Sequence, residues 1–448
     1  MTSTEFHLFN YGSYPYIPHA SDLPNSAYID LPNKYFDPIH GKHSLATYLD
    51  TLVFGEELGF DGIHSTTQIG GPVGITPSAN IVASYLAAKT SRIKIGTLGP
   101  IMNAATSPMR VAEDIALLDQ LSGGRLIVGL PMGHGQNYHA IGTANPATAR
   151  ERYWEGHDLM RKAFTHPGPF EWVGKHYHVP YANLWPKPIQ EPFPEIWIPA
   201  AGSRITLEKA AEFGYVYQGL FVPRKALARN IATFRESTEK WGYTAKDSQI
   251  ALVLFIHVAE TDEQARREAE PHLLSLFQNI NRSPQHDAFP PGHFSVDSLR
   301  AALTGGGYRD RDISKLSYEE IEETGWSIVG SPETVREKLE ETISTLGVGK
   351  IIHVADMGSM PNWMIRKSLT LMAEQVIPHF RDPGGLPMWA KTELPAATHT
   401  AFGAYAAEHR PLVPAQVDMP GVGIVDTQRA HIEELRIPLT REQKDGEV

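Results

Sequence analysis

Hydrophobic positions along this 448-residue chain follow two alternating rhythms. Short, continuous apolar runs alternate with longer segments in which apolar residues recur every three or four positions. The short runs predict strands at Phe6–Asn10, Gly62–Ser65, Ile93–Gly96, Leu126–Leu130, Glu195–Ile198, Val216–Leu220, Ile250–Val258 and Lys350–Val354. Eight such strands joined by helices predict parallel βα units closed into a (β/α)8 TIM barrel of the α/β class. Helix punctuation agrees. Leu45, Tyr48, Leu49, Leu52 and Val53 form one apolar stripe, which Gly59 stops. Thr76-Pro77, Ser107-Pro108 and Ser331-Pro332 each set a capping hydroxyl before a proline suited to a first helical turn. The last of these opens a helix with Val335, Leu339, Ile343 and Leu346 on one face, ended by Gly347.

Three segments exceed a minimal barrel. Insertions after strands one and seven, Asn10 to His43 and Asn279 to Gly325, both follow strand C-termini and are expected to act as lids. Tyr11, Tyr14, Tyr16, Tyr28, Tyr35 and Phe36 give the first lid an aromatic character suited to a medium-sized, partly apolar substrate. From Arg381 onward the periodicity fades. The expected organisation is a barrel domain over 1–380 and a C-terminal extension over 381–448, lying on the barrel or a neighbouring subunit, or else a flexible terminus.

Composition narrows the partners. A net charge of −11 argues against nucleic acid or an anionic membrane surface. No run approaches the roughly 18 apolar residues of a membrane helix, and Met1 to Glu5 lacks a signal-peptide pattern, so a cytoplasmic protein is expected. With no cysteine, thiolate metal sites and a cysteine nucleophile are excluded. Among 20 histidines, His176 and His178 have a metal-like spacing but fall in an expected surface hairpin, and no metal site is expected. His257 and His353 read as packed strand residues, whereas His64, ending strand two, is expected to face a pocket. The Gly305-Gly306-Gly307 triplet lacks the Lys-Ser/Thr and helix of a phosphate loop.

The most chemical local pattern follows strand five. Ala200-Ala201-Gly202-Ser203 forms a small-residue turn, and a helix is predicted from about Thr206 to Phe213. Small residues let a ligand approach the backbone, and a helix start favours an anion, so the turn suits a phosphate. The same residues also suit an ordinary N-cap.

Four ordered motifs resemble the bacterial-luciferase-like family of flavin-dependent monooxygenases. They are Gly59-Phe60-Asp61-Gly62, Leu118-Asp119-Gln120-Leu121-Ser122-Gly123-Gly124-Arg125, the alternating prolines Pro186 to Pro194 with Gln190, and Ser331-Pro332-Glu333-Thr334-Val335. The resemblance covers roughly residues 1 to 380. It implies a two-component enzyme: a separate reductase supplies reduced flavin mononucleotide (FMN), which reacts with O2 to give a flavin hydroperoxide that oxygenates a small organic substrate. It also implies homodimerisation through helices beside the early strands, with Val111, Ile115 and Leu118 as one candidate contact or, alternatively, a barrel-facing stripe.

Carried onto this chain, the resemblance places cofactor phosphate at Ala201, Gly202, Ser203 and Thr206, with Tyr138 near the phosphate or ribityl chain. His134 or Arg204 stands as the candidate neutralising charge. It places the flavin ring against Leu98–Gly99, joined by a non-proline cis peptide, and makes Asn103 a donor to ring carbonyls or a loop turn residue. Where luciferases carry a catalytic Glu-His pair after strand two, this chain has Thr67-Gln68. Glutamine hydrogen-bonds but does not act as a base at neutral pH, so aldehyde chemistry with light emission is not expected. Gln68, Asn103 and His134 are the candidate catalytic residues. Two alternatives stay open: a deazaflavin-dependent oxidoreductase, which the acidic balance disfavours, and a non-catalytic flavin-binding protein, which the histidine missing at Gln68 favours.

Overall fold

The computed structural model describes residues 3–19, 22, 26–105, 107–133, 135–141, 145–293 and 313–381, together with two short strands at 416–419 and 423–426. The strands of the first unit, in chain order, are β1 (Glu5–Phe9), β2 (Gly62–Thr66), β3 (Lys94–Leu98), β4 (Leu126–Gly129), β5 (Phe170–Val173), β6 (His178–Ala182), β7 (Glu195–Ala200), β8 (Val216–Gly219), β9 (Ile250–Val258), β10 (Ser327–Gly330) and β11 (Lys350–Val354). Eight of them close a parallel ring in the order β1-β2-β3-β4-β7-β8-β9-β11, sealed by β11 on β1 from Glu5↔Lys350 to Phe9↔Val354. These are the eight strands the hydrophobic runs predict. Continuous burial explains the match: all nine residues of β9 are buried, as expected of a strand covered on both faces.

β5 and β6 form an antiparallel hairpin carrying His176 and His178, which bond to different carboxylates, Glu151 and Glu171. Among the described residues no cluster of three or more His, Cys, Asp or Glu could hold a metal ion. β10 is an addition to the predicted set. β8 pairs only with the first three residues of β9, Ile250 to Leu252, which leaves the Phe255–Val258 edge for β10 to complete.

Inward-facing residues stack in layers. At the N-terminal end Glu5 of β1 holds Lys350 of β11 (2.8 Å) and Lys94 of β3 (3.6 Å). Above it lies His7, whose Nε2 is 3.0 Å from Glu5 and whose Nδ1 is 2.9 Å from His64 Nε2, with Trp197 against both rings. Gly62 and Gly96 make room for these imidazoles, since a Cβ at either position would overlap the ring beside it. Burial lowers the pKa of both histidines, which therefore sit neutral in the barrel. His64 thus belongs to the barrel interior, not to the cavity wall as its place at the end of β2 suggested. The next layer, with Phe9, Thr66, Leu98, Pro199 and Gln218, lines the cavity.

The motifs quoted above turn out to hold this frame together. The Asp119 carboxylate accepts from the backbone N–H groups of Ile189 and Gln190 and from Gln190 Nε2, tying one motif to another. Arg125 is buried and donates to Ala87, Thr90, Ser122 and Ile93. Asp61 accepts from Phe6 N–H and Arg381. Ser107 and Ser331 cap their helices as expected, but after Thr76-Pro77 the cap is Ser78, while Thr76 donates to Thr66 O. The first helix, Pro38–Glu57, begins earlier than the apolar stripe, because Asp37 accepts from Ile39 and His40 N–H and caps it.

The chain divides into compact units Met1–Thr392 and Glu393–Val448. In the second, Gln416–Met419 and Gly423–Asp426 pair antiparallel. No helix among the described residues is long and apolar enough to cross a membrane. The Gly305 triplet lies outside the described residues.

Candidate active site

A cavity of about 870 Å³ opens at the C-terminal ends of the barrel strands. Both insertions reach over it and meet: the N–H groups of Ala27 and Tyr28 donate to Arg282 O, and Gln136 donates to Tyr28 O. Tyr11 and Tyr28 line the cavity. Tyr14, Tyr16 and Phe36, expected with them, instead pack on one another, with Asp37 N–H donating to the Tyr14 hydroxyl. The lid is therefore less aromatic than its composition suggests.

The turn after β7 is built as a cradle. Gly202 has φ +115°, a conformation that favours glycine, and a Cβ there would crowd the Asn230 carboxamide. Ser203 is the N-cap of the helix Arg204–Glu212, yet its hydroxyl makes no cap bond. It accepts instead from Arg150 Nη1 at 3.1 Å, and Thr206 Oγ1 accepts from the same nitrogen at 3.4 Å. A guanidinium, two hydroxyls and an open helix N-terminus thus converge at one end of the cavity. Burial lowers the Arg150 pKa, but a guanidinium so far above neutrality stays charged. Tyr138 stands beside it, its pKa pushed up to about 12 by burial, against the opposing pull of Arg150, and its hydroxyl is 2.9 Å from His293 Nδ1.

Arg150 is the residue sequence reasoning missed. Arg204, proposed for this charge, is exposed and pairs with Glu208 at 2.8 Å on its own helix. His134 lies outside the described residues. The signal was present in the phase of the helix Ala149–Thr165: Arg150, Tyr153 and Trp154, at i, i+3 and i+4, all line the cavity.

The other predicted positions divide. Gln68, Leu98, Ala201, Ser203 and Thr206 line the cavity, and the Leu98–Gly99 peptide is cis. Gly99 packs against Gly129 O, with no room for a side chain. Asn103 is buried away from the wall. Its Nδ2 donates to Met132 O, so it props the loop after β4 and is not placed as a donor into the cavity. The dimer stripe Val111, Ile115 and Leu118 faces inward, at 5%, 1% and 4% exposure.

This geometry has room for a phosphorylated planar cofactor in a barrel mouth. The luciferase-like monooxygenase profile matches residues 30–349. The chain belongs to the luciferase-like monooxygenases. As a member of that family it is an oxidoreductase that incorporates oxygen. Limonene 1,2-monooxygenase of Rhodococcus erythropolis is 27% identical over 364 residues, 76% of this chain and 81% of that protein. Two solved structures share the fold. The oxygenating constituent of 3,6-diketocamphane monooxygenase from Pseudomonas putida, a type II Baeyer–Villiger enzyme in complex with FMN, has a TM-score of 0.62 at 20% identity, covering 84% of this chain and 98% of that one. The coenzyme F₄₂₀-dependent tetrahydromethanopterin reductase of Methanopyrus kandleri has a TM-score of 0.56 at 19% identity, covering 85% and 100%.

Among this luciferase-like chain's described cavity-lining residues, the charged ones are Arg150, Arg282 and Lys315, all basic. The net charge of −11 therefore does not describe the cavity.

Proposed function

We propose that the cavity binds reduced FMN, supplied by a separate reductase, and that the enzyme uses it with O2 to oxygenate a small, partly apolar substrate. The convergence of Arg150, Ser203 and Thr206 at a helix N-terminus carries this reading. A phosphate dianion there meets one fixed positive charge, two hydroxyls and free backbone N–H groups. When bound, reduced flavin supplies the electrons for oxygen activation; the chain's own groups bind, orient and exclude water. Leu98, Val253, Phe255 and Phe221 give the cavity an apolar wall that keeps bulk water from the reacting atoms.

Gln68 serves as the orienting donor across the cavity. Gln68→Ala is expected to lower product formation while leaving FMN affinity within about twofold, because no hydrogen bond to the phosphate turn is lost. The diagnostic readout is coupling: the share of reduced flavin that ends as hydrogen peroxide should rise. Unchanged turnover and coupling would make Gln68 a structural residue and remove it from the site.

A second reading has its own support. Arg282 and Lys315 in the cavity wall suit a cofactor with an additional anionic tail, as a deazaflavin coenzyme carries. Competition between the two cofactors for the purified chain separates the readings.

We also propose a homodimer, through a different face from the inward stripe. Ile81 (73% exposed) and Tyr85 lie on the helix Ala79–Lys89, and Leu117 and Leu121 on the neighbouring helix Pro108–Ser122, all exposed. Sedimentation at micromolar concentration should give a dimer, and Ile81→Asp with Leu117→Asp should give a monomer. A wild-type monomer would end the proposal.

A further inference from the structure

The carboxamide of Gln218 is out of place as barrel packing. β8 pairs Gln218 with Pro199 on one side and Ala251 on the other, so it faces inward beside two residues whose side chains offer no polar atom. It is 1% exposed, it lines the cavity, and its Oε1 is buried without a hydrogen-bond partner. A buried, unmet carbonyl is costly, whereas an apolar side chain of similar length would fit the same collar at no such cost. The carboxamide therefore has its use when something else occupies the cavity.

Position says which part of an occupant it meets. Counting around the ring, β8 stands directly opposite β2, so Gln218 and Gln68 face the cavity from opposite walls. The Arg150–Ser203–Thr206 cluster lies at the β4–β7 side, and Leu98 and Val253 provide apolar walls on β3 and β9. A flavin anchored by its phosphate must place its ring between these walls. That ring has one strongly polar edge, an imide-like row of carbonyl, N–H and carbonyl. A carboxamide presents one acceptor and one donor side by side, which matches such an edge.

We propose that Gln218 binds the imide edge of the flavin ring, Oε1 accepting from the ring N–H and Nε2 donating to the adjacent carbonyl. This rests on the FMN reading above. The test compares FMN with its N3-methyl derivative, in which methyl replaces the proton that Oε1 would accept. The wild-type chain should bind the methylated compound about tenfold more weakly. Gln218→Met should bind FMN about tenfold more weakly than wild type, bind both compounds within about twofold of each other, and melt no lower than wild type without cofactor. Equal binding of both compounds by the wild type would overturn the inference and leave the FMN reading standing. So would discrimination that persists in Gln218→Met. Binding of neither by the wild type would overturn both. The wild-type comparison needs no variant, so a poorly folded Gln218→Met does not blunt the test.

Discussion

Arg150→Met is expected to weaken FMN binding about 10- to 150-fold, the range for losing a hydrogen-bonded charge at roughly 1.5–3 kcal/mol. Riboflavin, which lacks the phosphate, should lose less than about threefold, because the Arg150 guanidinium hydrogen-bonds at the proposed phosphate turn, where it donates to Ser203 and Thr206. The substitution keeps the length of the stem and so its packing against the cavity wall. Ser203 and Thr206 then remain in place with no fixed charge beside them. Titration of both ligands followed by flavin fluorescence separates the outcomes. Equal losses for the two would put the phosphate elsewhere in the cavity, and no loss for either would remove Arg150 from the site.

The second large effect lies at the other end of the barrel. Lys350→Met should cost about 3–5 kcal/mol of stability, the usual result of stranding a buried charge. Lys350 Nζ is 2.8 Å from Glu5, both side chains are at most 9% exposed, and the partner's carboxylate is held well below the usual range by His7, Lys350 and Lys94, against the cost of its burial. With the lysine gone, only the partly exposed Lys94 and the His7 ring remain beside it. Adding Glu5→Gln should recover most of the loss, since the double variant leaves no unpaired buried charge. Denaturant midpoints decide the matter. A single variant as stable as wild type, or a double variant no better than the single, would show that this pair does not hold the barrel floor. FMN affinity should hold in both variants, because the His7–His64–Trp197 layer separates the pair from the cavity.

What the sequence makes legible depends on what each residue does in the fold. Barrel strands are buried on both faces, so runs such as Ile250–Val258 announce themselves by continuous hydrophobicity. β10 did not, because its four residues form a strand only where the short β8 leaves an edge of β9 open. The motifs that revealed the family proved to be framework: Asp119 with Gln190, Arg125, and Asp61 with Arg381. They locate the site without lining it. Of the residues that do line it, the turn proposed for the phosphate was readable because glycine and hydroxyl residues at a strand-to-helix joint carry a local signal. Arg150 carries only a weaker one, its helical phase with Tyr153 and Trp154; it is one cation among several on an amphipathic helix, and the fold brings it to Ser203. Gln218 did leave a trace, as a polar residue inside a parallel strand that should be apolar throughout.

The central claim, a site for reduced FMN, is tested most directly by anaerobic titration of the purified chain with reduced FMN and, separately, with reduced deazaflavin coenzyme. The account predicts saturable binding of one reduced FMN per chain, at least about tenfold tighter than the deazaflavin. Tighter binding of the deazaflavin, or no saturable binding of reduced FMN, would contradict it.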